Sequence, residues 1–269
     1  MFYYRRYFAL YLGVSLALLA CTVFESTVDG SRWPIDLLLT AVCIFFVALI
    51  CNLRGLQRYQ AMRGRFFASG DAVSFRVGLE GCRRAANRST RNSILCDMAY
   101  LDILEGRFAE ASATLRGLNL DSARQKRLRL NDHCAYDIRC AQLAILCGQP
   151  EAARPHLEAL ARELTPLKLG DTLRTHYSCV LLEYRQVVAL LTGEEGAPVA
   201  FFETLLSTAG DTMTRSFDGY YLALALQRRG GEGDAVRARE LLTTVAAALP
   251  NLIYSKEATA RLADLPAAQ

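Results

Sequence analysis

The chain opens on two long apolar runs and then changes period. Residues 7–24 (YFALYLGVSLALLACTVF) carry no charge, and residues 35–53 (IDLLLTAVCIFFVALICNL) carry only Asp36, at the start of the run. About 20 apolar residues in a helix cover the hydrocarbon core of a bilayer, and each run approaches that length. The pattern predicts a transmembrane helical hairpin over residues 1–53, with spans at about 7–24 and 35–53. The first run has two other readings: a cleaved signal peptide headed by Arg5 and Arg6, or, with the second run, a pair of buried core helices. From residue 70 onward, apolar positions recur every three or four residues, the one-sided spacing of amphipathic helices. Phe75, Leu79, Cys82 and Ala86 make one such face; Ile138, Ala141 and Ile145 make another; Leu181, Tyr184, Val188 and Leu191 a third. No segment beyond the apolar runs keeps a strand's alternation. The expected fold class is all-α.

Glycine punctuates the helical part. Gly70, Gly106, Gly148, Gly193 and Gly230 each follow a periodic segment, at spacings of 36, 42, 45 and 37 residues. Glycine just past a helix end takes the left-handed cap that other residues resist. Periods of this size indicate helix–turn–helix units stacked on one another. Pro198 suits the first turn of a helix. Pro250 ends the last long helix, and a short one through Leu262 follows it.

Ala99, Gly106, Phe108 and Ala111 give one unit a more specific character: a small residue within a helix, a Gly-x-aromatic turn, then a small residue opening the next helix. That arrangement resembles a tetratricopeptide repeat. A second unit offers Ala141, Gly148 and Ala153 but has Pro150 in the aromatic place. The family's proline after the second helix is absent at Ala123, and every spacing exceeds the family's period. The resemblance covers about residues 55–265. It implies a TPR-like α-solenoid with a concave surface that binds protein segments. On that implication the inward face of each unit's first helix carries the partner-binding residues, with Tyr100, Gln142 and Glu183 as candidates by spacing.

Charge orients the chain. Residues 54–91 hold nine arginines against Asp71 and Glu80, a net +7, whereas residues 92–269 hold 19 basic and 22 acidic residues. Arg54, Arg58, Arg63 and Arg65 follow the second apolar run directly, and Arg5 and Arg6 precede the first. Positive charge marks the cytoplasmic side, so the expectation is a multi-pass integral membrane protein with both termini cytoplasmic. Tyr3, Tyr4, Tyr7 and Trp33 sit where interfacial aromatics belong. The domain order is then a hairpin (1–53), a basic juxtamembrane segment running into the first helical pair (54–91) and a cytoplasmic helical domain (92–269). The four arginines read as membrane-surface groups facing the lipid bilayer. Residues 119–132 are locally basic, and Asp121 is placed to cap a helix running on to Cys147.

Motifs that carry chemistry do not appear in the sequence. There is no GxxxxGK, GxGxxG, HExxH or GxSxG pattern. His133, Cys140 and Cys147 recur at heptad spacing, too open for a tetrahedral metal site, and the nine cysteines contain no CxxC. Asn87-Arg88-Ser89 matches a glycosylation sequon by chance. The expectation is no enzyme activity, no cofactor, no metal, no nucleic acid and no evident small-molecule substrate. The function expected is a membrane-anchored scaffold or adaptor for an unknown protein or peptide partner. The alternative is an accessory subunit of a membrane complex acting through the hairpin, although Gly13, Ser15 and Ala17 form no GxxxG.

Overall fold

A computed structural model of the 269-residue chain describes residues 5–28, 33–86, 90–122, 125–194 and 198–264. Among these residues it contains twelve α-helices and no strand: α1 (Arg5–Val28), α2 (Trp33–Ser69), α3 (Ala72–Ala85), α4 (Arg91–Glu105), α5 (Phe108–Arg116), α6 (Lys126–Leu146), α7 (Pro150–Leu164), α8 (Thr172–Thr192), α9 (Pro198–Thr208), α10 (Thr212–Arg229), α11 (Asp234–Ala248) and α12 (Ile253–Asp264). The sequon lies outside the described residues, as do Tyr3, Tyr4 and the side chains of Tyr7 and Trp33.

Local chemistry sets the helix ends. Gly70, Gly106, Gly148, Gly193 and Gly230 all have positive φ, from +64° to +84°, which only glycine adopts without steric cost. Asp71, Asp171 and Asp211 cap α3, α8 and α10 by accepting from the backbone N–H of Ser74, Leu173 and Thr214. Pro198 opens α9, and α11 ends just before Pro250. Asp121 does not start α6. It lies in a separate 3₁₀ turn, Leu120–Ser122, and α6 begins at Lys126.

The membrane expectation needs correction. One helix, Ile35–Ser69, is long and apolar enough to cross a bilayer. The described apolar stretch of α1, Ala9–Phe24, is shorter; at 1.5 Å per residue it reaches about 24 Å against a core of about 30 Å. The multi-pass integral membrane protein with both termini cytoplasmic is therefore not supported. α1 packs along α2, where the hydroxyls of Thr22 and Thr40 hydrogen-bond. Leu16, Leu38, Phe45 and Ile50 remain exposed around this pair.

No break separates the apolar run from the basic segment. α2 is continuous over 37 residues, and its second half belongs to the helical core. Phe66 stacks on Phe75 of α3 with centroids 4.3 Å apart and planes 7° from parallel. Met62 packs on Gly78, where any side chain would collide with its sulfur. Positions 66/75 and 62/78 pair with a nearly constant sum, so α3 runs antiparallel to α2. Tyr59, Phe66, Phe75, Leu79 and Cys82 are buried at this seam.

Most of the remaining helices pack on their sequence neighbours, and the last ones return to the first. α10 contacts α2, and α12 contacts α4. Leu249 sits against Gly70, Ile253 reaches Gly106, and Lys256 donates to the Glu105 carbonyl oxygen. Polar groups fix register where elements meet: Asn92 and Ser93 of α4 both donate to the buried Asp132 of α6, and Arg76 and Arg107 converge on Asp102 and Glu105.

Candidate functional site: a cavity lined by the even-numbered helices

The return of the last helices leaves a half-open cavity of about 480 Å³, within the range typical of ligand sites. Its lining comes from α2, α4, α6, α8, α10 and α12. Helical spacing explains how each wall is built. On α8, His176, Tyr177, Val180, Glu183 and Tyr184 fall at 0, 1, 4, 7 and 8, one face of the helix. On α6, Asn131, Ala135, Ile138, Arg139 and Gln142 repeat the pattern.

Tyr100, Gln142 and Glu183, on three different helices, all line this one cavity. Arg63 joins them. The charge pattern groups it with Arg54, Arg58 and Arg65 at the membrane surface, yet it turns into the cavity, and its Nε lies 3.3 Å from the Asp97 carboxylate. The same carboxylate accepts from the Tyr59 hydroxyl at 2.5 Å. Arg54, Arg58 and Arg65 are exposed along α2. Alternation of arginine along one helix does not reveal which one faces inward; the apolar Tyr59, Met62 and Phe66 beside Arg63 are the available signal.

Arg139 is a site residue that the sequence reading misses. Its guanidinium lies 3.8 Å from the centroid of the Tyr100 ring, a cation–π contact. Its Nη1 donates to Gln142 Oε1 at 3.0 Å. The floor is aromatic: Phe217 lies 5.8 Å from Tyr184 and 5.3 Å from Tyr254, centroid to centroid. Between α8 and α6 the Tyr177 hydroxyl donates to Asn131 Oδ1 at 3.1 Å.

Two acids near this floor are pushed toward protonation by their surroundings. Burial, then the neighbouring Asp218, pushes Glu183 up to about 8. Burial, then Asp211, pushes Asp218 up to about 7. Asp218 is 1% exposed, and its Oδ1 has no hydrogen-bond partner. Burial penalises the ionised carboxylate, which shifts its balance toward the protonated form. His176, at the rim, is held below its usual value by partial burial and by the charges of Arg63 and Arg139. The cavity thus holds one compensated cation, Arg63, and one further guanidinium, Arg139, above an aromatic floor.

His133, Cys140 and Cys147 do not converge: His133 faces Asp121 at 3.8 Å, and Cys147 caps α6 on the surface. His156 lies outside the cavity, with Nδ1 3.1 Å from Asp137. No family model, curated protein or solved structure matches the chain.

Proposed function

We propose that this protein is a non-catalytic, TPR-like helical-repeat binding module that holds its cavity beside a membrane and receives there a short segment of a protein partner. The observation that carries the reading is the convergence of one inner face from each of six helices on a single cavity. α2 supports the membrane part. Its first half is apolar and exposed, and its second half supplies Tyr59, Arg63 and Phe67 to the cavity wall. Arg63 lies ten residues beyond Leu53, about 15 Å along the same helix, so the cavity stands close to the bilayer boundary. Confinement there raises the effective concentration of a membrane-bound partner.

The exposed apolar face shared by α1 and α2 supports a second reading, in which this pair packs against other membrane proteins as part of a complex.

Photo-crosslinking in intact membranes tests the first reading. A benzophenone amino acid at Val180, on the cavity wall, is expected to crosslink one defined polypeptide. The same group at Leu169, which is 88% exposed and outside the cavity, is expected not to. Equal labelling from both positions, or labelling only from positions in α1 and the first half of α2, contradicts the cavity reading and favours the second.

A further inference from the structure

Cations that face inward are ordinarily met by an anion, because an unpaired buried charge is costly. Arg63 follows that rule with Asp97. Arg139 does not: among the described residues no carboxylate lies within ion-pair distance of its guanidinium. Its protein contacts are the Tyr100 face and Gln142 Oε1. A guanidinium has five N–H donors in a planar fork, and Gln142 uses one of them through Nη1. Nε and Nη2 keep theirs, in the two-pronged arrangement that fits a carboxylate. Stacking on Tyr100 fixes the plane of the fork in advance, which lowers the entropy cost of using it.

We infer that Arg139 is the anchor for an acidic side chain of the partner's segment, and that an aromatic residue next to that acid packs on the Tyr184–Phe217–Tyr254 floor. The inference rests on the cavity being the docking place proposed above. Charge complementarity selects the acid: Asp97 compensates Arg63, which leaves the Arg139 guanidinium to attract an acid and repel a basic side chain. Glu183 offers no competition, since burial keeps it protonated at neutral pH. The cavity volume of about 480 Å³ has room for an acid and an aromatic neighbour.

Saturation-transfer NMR on the full chain in detergent micelles tests this with three capped dipeptides: N-acetyl-Glu-Phe-amide, its Gln-Phe analogue and its Lys-Phe analogue. The acidic probe is expected to bind at least about tenfold more tightly than the glutamine probe, the ratio for hydrogen bonds to a charged group, and the lysine probe more weakly still. R139Q is expected to erase the difference between acid and amide. R139K keeps the charge without the fork and is expected to retain part of it, so the test survives if R139Q folds poorly. R185Q, on the outer side of α8, is expected to leave it unchanged. Equal binding of the acid and amide probes, no binding of the acidic probe, or a preference that persists in a folded R139Q overturns the inference. Crosslinking from Val180 reports separately on the partner reading: if it succeeds while the acid preference is absent, only the anchoring role of Arg139 fails.

Discussion

The guanidinium of Arg139 lies 3.8 Å from the ring centroid of Tyr100, joining α6 to α4 inside the cavity. Tyr100 is buried, and its ring also stacks on Phe67 of α2 at 5.9 Å. One aromatic ring thus ties three helices together. Tyr100→Phe preserves the ring and is expected to move the melting temperature by less than about 2 °C. Tyr100→Leu removes a cation–π contact of about 1–2 kcal/mol and is expected to lower it by about 3–8 °C for a chain of this size. Circular dichroism melts of the two variants check the difference.

Stability is expected to fall as pH rises from about 5 to about 8, and Glu183 is the traceable cause. Its folded pKa, about 8, lies far above the value of about 4.3 for an unfolded glutamate. The folded state holds a proton that the unfolded state has already released, so the stabilisation is lost as pH passes through the folded value. Asp218, at about 7, acts in the same direction. The carboxylates held low, such as Asp234 at about 2, titrate well below this window. Glu183→Gln is expected to flatten the fall in melting temperature between about pH 5 and 8; an unchanged slope contradicts the assignment.

Gly106 and Gly64 are expected to respond oppositely to alanine. Gly106 ends α4 at φ +81°, and a Cβ in the left-handed region costs about 1–2 kcal/mol. Gly64 lies inside α2, and a Cβ added there would meet nothing within 4 Å; alanine at that position gains up to about 1 kcal/mol of helix propensity. Thermal melts of Gly106→Ala and Gly64→Ala are expected to shift down and up, respectively.

Much of the fold was legible because single residues carry it. Each of the five glycines that punctuate the sequence ends a helix at positive φ, which a residue without a Cβ adopts without steric cost. Helical faces were legible because Phe75, Leu79 and Cys82, or Leu181, Tyr184 and Val188, keep one register and are buried together. The closure of α12 on α4 and α10 on α2 was not legible. It depends on small rotations between successive helices, accumulated over more than a hundred residues, and no single residue encodes it. Spacing singled out Tyr100, Gln142 and Glu183, which share the lining of one cavity. It did not place Arg63 and Arg139 there, because an inward arginine and a solvated one look alike until the neighbouring helices are placed.

The Phe66–Phe75 stack is expected to hold the second half of α2 in the domain. Phe66 is 1% exposed, and replacing it with alanine removes a full aromatic side chain from a packed seam, about 3–5 kcal/mol. Phe66→Ala is expected to expose the 54–69 stretch to limited proteolysis, cutting between the apolar half of α2 and the rest of the chain. Phe66→Leu, which refills most of the volume, is expected to resist.

Filling the cavity tests its role as the docking place most directly. Ala135 lines it from α6, and a tryptophan there occupies the space a partner's side chains need. The measurement is the amount of partner crosslinked from Val180 in an Ala135→Trp background, beside Val236→Trp on the exposed face of α11. With both proteins folded, as judged by melting temperature, Ala135→Trp is expected to abolish the crosslinked product and Val236→Trp to leave it intact. Undiminished crosslinking in a folded Ala135→Trp protein contradicts the account.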